Sequence, residues 1–583
     1  MRNTKPRVVA AGVVVLALAA CGGAGGEEDT SPDVRLSGSA GGQAFDPDRA
    51  APAAPIDDAV PGGTVTVLGS DELATMDPTD AYHADTVSIL SGLVTRSLTQ
   101  FVYDPARQSM VLIPDLATDI GTPNSDFTQW RFTIRDGVRF EDGSGVTAED
   151  VAFGIKRSFD RDNFPEGPTF SNDYFVDGDQ YRGPYQSGTS YPGVVVEGDT
   201  LTLKMARPFP EMPYWATWPA MGPIPERGSN PATYGRHPLA TGPYKFANYS
   251  PGKSLTLVQN EQWDPNTDPG RHQYPDRFEF DFTQSPERID AMILGDSADS
   301  QTMLSIQNVL PGDYREAHKL DLLTLGPTPC TRMWNMDNRK ITDIRVRQAI
   351  GYAVPYQEVA RMEGDIFGVT FLAGTSILPP GFPGRQDFNA LETEPGQTDP
   401  DRSKALLKQA GYAPGEFELR WPYVASDPSS AAVAAALVTA LEAAGFRATP
   451  FPTQTEQDFF AVITDPQAPV NVRIGGWCPD WPSGNSWFPP VFHSEGEGNF
   501  AHLSEPAVDA EIERISGLPV EEQPAEWGDL DETIMTDYYP VVVTGYPGAA
   551  LLHGSRIAGM NIDSAYPTMP TWKDIFVRQS QAP

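Results

Sequence analysis

One uninterrupted apolar run constrains this chain more than any other feature. Residues 8–20 carry no polar side chain, follow the basic Arg2, Lys5 and Arg7, and stop at Cys21. The run is shorter than the ~20 residues that cross a bilayer and has the length of an export-signal core. No later stretch reaches 18 consecutive apolar residues. Everything beyond the leader is therefore expected to fold as a body in water. Residues 22 to about 60 are mostly Gly, Ala, Ser, Pro and Asp with almost no large apolar side chains. Such a stretch buries too little surface to offset its chain entropy, so 21–60 is expected to be a flexible tether.

The end of the run, Leu18-Ala19-Ala20-Cys21, resembles a bacterial lipobox. That implies a signal peptide 1–20, a diacylglycerol on the Cys21 thiol, and a protein lipid-anchored at the extracytoplasmic face of the cell membrane. Lys and Arg number 42 against 78 Asp and Glu, a net charge of −36, which becomes −39 when the leader removes its three cations. This excess argues against nucleic acid as partner and against electrostatic docking on anionic lipid. With 40% apolar and 10% aromatic residues the chain has ample core material, and 583 residues suggest several lobes.

The body reads as mixed α/β. Thr64-Val65-Thr66-Val67-Leu68 alternates as a strand. Residues 85–101 carry Val87, Leu90, Leu93, Val94 and Leu98 at helical spacing and predict one helix. Thr147-Ala148-Glu149-Asp150 fits a capping box, and residues 194–203 fit a hairpin across Gly198-Asp199. Asp343 is placed to cap a helix, and Gly445 to end one that begins near Ala431.

Enzyme signatures are wanting. There is no Gly-x-Ser-x-Gly and no His-Glu-x-x-His, and the seven His show no metal-ligand spacing. Residues 247–254, ending Gly252-Lys253-Ser254, satisfy a relaxed P-loop pattern, but Leu255-Thr256-Leu257-Val258 continues as a strand where a phosphate site needs a helix. The expectation is a non-enzyme with no cofactor and no metal. Cys330 and Cys478 remain after Cys21. In an exported protein a lone pair is by default a disulfide, the other reading being two free buried thiols.

Five blocks then occur in order. Arg135-Asp136-Gly137-Val138-Arg139-Phe140-Glu141-Asp142-Gly143 with Thr147-Ala148-Glu149-Asp150-Val151 is the first, and Thr241-Gly242-Pro243-Tyr244-Lys245-Phe246 the second. Asp343 to Ile350, then Asp399 to Leu407 with Ala410-Gly411-Tyr412, are the third and fourth. Gly475-Gly476-Trp477 with Asp480-Trp481-Pro482 is the fifth. Together they resemble family 5 extracellular solute-binding proteins, the peptide/nickel class serving ABC importers, and most of all the actinobacterial oligopeptide-binding lipoproteins. The resemblance implies a bilobal periplasmic-binding-protein-like clam-shell (type II, large peptide-binding class) with an extra subdomain. Lobe I would comprise 61–101, 226–328 and 544–583, its subdomain 102–225, and lobe II 329–543. The protein would be a monomer that encloses its ligand between the lobes and delivers it to permease subunits in the membrane.

The same resemblance implies the site. Asp480 matches the carboxylate that anchors a peptide's α-ammonium, and Trp477, Trp481 and Trp334 would line side-chain pockets. It also implies a Cys330–Cys478 bridge, which puts Cys478 in the site. The relatives' Arg, three residues before the site Trp, is replaced here by Ile474. Arg473 is one step off and on a strand faces the other way, which leaves Arg332 or Arg420 as candidates for a ligand carboxylate. An oligosaccharide ligand in the same fold is the alternative, given the Trp content and the missing Arg.

Overall fold

The computed structural model describes residues 44–579. The expected leader and Cys21 lie outside the described residues. Chain contacts divide the described residues into two compact units. The smaller unit comprises 328–515 with 522–548, and the larger 44–327 with 516–521 and 549–579. The strand Val541–His553 runs through the boundary, its first half belonging to the smaller unit and its second half to the larger. Among the described residues no helix is long and apolar enough to cross a membrane.

In the larger unit, Thr64–Leu68 buries Val65 and Val67 and lies between two parallel neighbours, Arg277–Asp281 and Met303–Asn308. Antiparallel strands Ser254–Gln259 and Tyr244–Ser250 extend the sheet on one side. The P-loop-like residues form the hairpin turn between these two strands. Gly252 takes φ 72° there, and Lys253 N donates to Ser250 O at 3.0 Å. No helix follows, so the phosphate geometry is absent.

A second, four-stranded sheet runs in the order Thr122–Pro123, Gln129–Thr133, Thr200–Lys204, Val194–Glu197. Its last two strands turn over Gly198 at φ 67° and Asp199, as their sequence predicts. The helix Ala148–Arg157 starts with the expected capping box: Thr147 Oγ1 accepts from Asp150 N, and Thr147 N donates to the Asp150 carboxylate at 2.9 Å.

Two expectations fail here. The single helix over 85–101 ends early. A helix Ala84–Ile89 passes into a π turn Leu90–Val94, and Thr99–Asp104 is a strand. The backbone is already extended at Thr95 (φ −110°, ψ 155°), and Arg96 just beyond it enters a buried ion cluster. The tether also ends before residue 60. Ala44 and Phe45 pair in parallel with Val111 and Leu112, Ala53 N donates to Asp268 O, and Ile56 N donates to the Tyr274 hydroxyl. The polar backbone of 44–56 is held by hydrogen bonds that composition does not reveal.

The cluster joins two arginines and two aspartates, none more than 1% exposed. Arg96 Nε lies 2.7 Å from Asp115, and Arg271 Nη1 lies 2.9 Å from Asp115 and 3.1 Å from Asp268. The remaining guanidinium hydrogens go to Thr267 O and Oγ1 from Arg96, and to Ser91 O and Thr95 O from Arg271. Burial alone would raise the Asp268 carboxyl, but the Arg271 and Arg96 guanidiniums outweigh it and hold the carboxyl far below the usual range. Removing one partner from such a set leaves a buried charge uncompensated. Arg271→Met is therefore expected to cost about 3–5 kcal/mol in urea unfolding.

Candidate ligand-binding site

The site residues lie in the smaller unit. Strand Thr331–Met336 pairs antiparallel with Val472–Trp477 on one side and with the first half of Val541–His553 on the other. Val472–Trp477 ends the sheet order, with no second strand beside it among the described residues. An edge of this kind offers a row of backbone N–H and C=O groups to another strand. The strand starts buried, at Val472 and Arg473, and is exposed at Gly475 and Gly476. A Cβ on Gly476 would come within 2.7 Å of Thr331 O, so only glycine permits this backbone approach.

The register explains the cysteines. Thr331 faces Trp477, so Cys330 and Cys478 are the next residues out on paired strands. Their Cα atoms are 4.2 Å apart and the sulfurs are bonded, closing a sequence separation of 148 residues.

The loop beyond is fixed from both ends. Trp477 Nε1 donates to Ser486 O at 2.8 Å, and Ser486 Oγ donates to Trp481 O at 2.9 Å. Gly484 packs directly on Trp527, whose ring stacks on Phe488 with centroids 5.0 Å apart. Within this loop Cys478 is exposed and Asp480 half-buried.

Thr331 also anchors a turn, donating from its hydroxyl to Ile377 O at 2.8 Å. The Asp531 carboxylate accepts from Ile377 N and Leu378 N at 3.0 Å each, and the Tyr546 hydroxyl accepts from Thr375 N and Ser376 N. Burial pushes the Asp531 carboxyl up to about 6, against the two amides that favour its charge. Sequence reasoning missed Asp531. Its helix, Gln523–Thr533, shows only an acid beside Leu530, and the partners lie some 150 residues away.

The other candidates are placed as follows. Trp334 is 4% exposed and stacks on Trp421, and Trp481 is 2% exposed, so core packing accounts for both without a ligand. Trp477 is half-buried. Arg332 is held by Asp365, with Glu363 at 3.4 Å, so a ligand carboxylate would compete with two already present. Arg473 is fully buried on Asp337 at 3.2 Å, turned inward as its one-residue offset predicts. Arg420 lies over the Phe451 ring at 5.8 Å. Among the described residues no group of three His, Cys, Asp or Glu could hold a metal ion.

Several comparisons with known proteins bear on this geometry. The model of "Bacterial extracellular solute-binding proteins, family 5 Middle" matches residues 111–499. The periplasmic oligopeptide-binding protein OppA of Salmonella typhimurium is 22% identical over 445 residues, 72% of this chain and 78% of that protein. The glutathione-binding protein GsiB of Salmonella typhi is 23% identical over 61% of this chain and 63% of that protein. Among solved structures, the clavulanic acid biosynthesis oligopeptide binding protein 2 matches at TM-score 0.82 and 22% identity, covering 93% of this chain and 99% of that one. The Helicobacter pylori DppA structure, in complex with peptide STSA, matches at TM-score 0.66 and 16% identity over 90% and 99%. The fold is thus that of the type II periplasmic peptide-binding proteins, and these are binding proteins rather than enzymes.

Two outcomes follow from the site's construction. Reducing the Cys330–Cys478 bond, or Cys478→Ser, is expected to lower stability by about 2–5 kcal/mol, read as the urea midpoint with and without reductant. Asp531 titrates near 6 folded and near 3.8 otherwise, so the folded state binds its proton more tightly. Its contribution is greatest below pH ~4 and falls by about 3 kcal/mol as pH rises through 6. Asp531→Asn is expected to flatten that part of the stability–pH profile in a urea titration.

Proposed function

The chain belongs to the bacterial extracellular solute-binding proteins of family 5, and from that premise we propose that it captures peptides outside the cytoplasm and delivers them to an ABC importer. The observation that carries this reading is the exposed end of Val472–Trp477 beside a rigidly held loop bearing Asp480. An extended peptide would add to that edge through main-chain hydrogen bonds, which give affinity without reading side chains. Its α-ammonium would meet the Asp480 carboxylate, a charge-assisted contact strongest where water is excluded. The half-buried Trp477 ring would pack against a ligand side chain. The similarity to a peptide-bound DppA and to oligopeptide-binding relatives supports the peptide class.

Anchoring belongs to the same proposal. The basic leader and the Leu18-Ala19-Ala20-Cys21 sequence support lipidation at Cys21. A monomer so anchored would work against membrane permease subunits.

Native mass spectrometry of the purified protein is expected to show a ladder of peptide masses, and a hexose-spaced series would overturn the ligand class. Asp480→Asn is expected to weaken free-amine peptides by 10-fold or more, following the ~1.5–3 kcal/mol of a hydrogen bond to a charged group. N-acetylated peptides should bind both proteins equally. Unchanged affinity in titration calorimetry would remove Asp480 as the amine anchor.

A further inference from the structure

We propose that His272 is a protonation latch holding the N-terminal strap, residues 44–60, onto the larger unit. The strap has two attachments. The first is the two-residue ladder of Ala44 and Phe45, with Asp46 N donating to Leu112 O at 2.9 Å and the Phe45 ring 5.5 Å from Tyr214. The second lies at residues 53–56. Ala53 N donates to Asp268 O at 3.1 Å, Ile56 N donates to the Tyr274 hydroxyl at 3.2 Å, and His272 Nε2 is 2.9 Å from Ala54 O.

The other face of the ring decides the charge. His272 Nδ1 lies 3.2 Å from Lys573 O and 3.3 Å from the Asp574 carboxylate. Every oxygen on both sides of the imidazole is an acceptor only. A neutral imidazole carries one N–H, so in either tautomer one ring nitrogen would turn its lone pair toward an oxygen. Only the imidazolium donates to both sides. When the ring is neutral, the Asp574 carboxylate, a stronger acceptor than a carbonyl, keeps the single N–H on Nδ1, and Nε2 turns its lone pair toward Ala54 O; the bond to the strap carbonyl is therefore made by the charged form.

The surroundings agree. The ring stacks on Tyr274 with centroids 5.0 Å apart, and the His272 and Asp574 side chains are 13% and 20% exposed. Asp574 is the acid that faces the ring. Arg271 and Asp268, on the same segment, turn into the buried cluster. The Lys573 ammonium points to Gln100 Oε1 and Phe101 O. Burial alone would lower the His272 pKa, but Asp574 and the two carbonyls outweigh it and raise it above 6.5. A raised histidine pKa contributes stability fully below the unfolded value and loses it as pH rises through the folded one. The latch is therefore closed in acid and opens toward alkaline pH. With it open, the second attachment loses its one charged bond and rests on two neutral ones, from Ala53 N to Asp268 O and from Ile56 N to the Tyr274 hydroxyl, beside a ladder of two residues. On the lipid-anchored reading proposed above, full release of residues 44–60 adds about 17 residues between Cys21 and the body, ~60 Å at most when extended.

Amide hydrogen exchange by mass spectrometry on the full chain at pH 5.5, 7.0 and 8.5, corrected for intrinsic rates, tests this without any ligand. Peptides covering 50–58 are expected to be protected at pH 5.5 and to exchange at least 10-fold faster at 8.5, while Thr64–Leu68 stays protected throughout. His272→Gln is expected to exchange fast at every pH. Asp574→Asn is expected to move the transition to lower pH, a shift that a merely structural contact would not give. Equal protection of 50–58 at all three pH values, a wild-type profile in His272→Gln, or an unmoved midpoint in Asp574→Asn would overturn the proposal.

Discussion

Much of the larger unit depends on four buried charges. Arg96, Asp115, Asp268 and Arg271 neutralise one another where water cannot. The desolvation of ions this deep is repaid only when geometry and hydrogen bonding are complete. That requirement reaches outward. Arg96 follows the π turn Leu90–Val94 directly, in the extended stretch before the strand that starts at Thr99, so the cluster fixes the chain where helix passes to strand. Asp268 also accepts from Gln100 Nε2 and Trp263 Nε1, which ties in the strand start and a separate loop. The backbone of Asp268, in turn, receives Ala53 N of the strap.

What the sequence makes legible here is local. A capping box needs only Thr147 and Asp150, three residues apart, and a two-residue turn needs only Gly198 and Asp199. Gly252 likewise shows its turn because Tyr244–Ser250 and Ser254–Gln259 alternate on either side. Periodicity over 85–101 misleads because Leu98 and Phe101 continue the helical spacing after the helical turns have ended at Val94, while Arg96 in between is held by partners as far away in sequence as Thr267. The strap is illegible for the same cause. Its composition is poor in large apolar side chains, and its backbone amides are held by Asp268 O, Leu112 O and the Tyr274 hydroxyl, partners that composition does not encode.

The candidate site divides in the same way. The strand alternation that turns Arg473 away from Ile474 is a local rule, and Arg473 is indeed buried on Asp337. The pairing of Cys330 with Cys478 is the default for a lone pair in an exported protein and is implied again by the family resemblance, and the register of Thr331 against Trp477 supplies its geometric reason. Asp531 had no local signature, because a carboxylate that caps two amides of a distant turn looks in sequence like any helical acid.

The acidic balance of the chain acquires a structural meaning. With 42 basic residues against 78 acidic, every guanidinium has an excess of the chain's own carboxylates to pair with. Arg96, Arg157, Arg271 and Arg473 are each fully buried against aspartates of this chain. Arg332, the cation on the site strand, is engaged by Asp365 and Glu363. Neither guanidinium on the paired site strands thus stands unpaired toward a ligand. A charged contact with a ligand's carboxylate would have to displace one of the protein's own, at a cost in desolvation and lost bonding. On the reading proposed above, recognition by this strand pair would fall instead to edge backbone groups, which any extended chain satisfies, and to the Asp480 carboxylate. Such a division would read the ligand's main chain and amino end closely and hold its far end loosely, an arrangement that would accommodate ligands of unequal length.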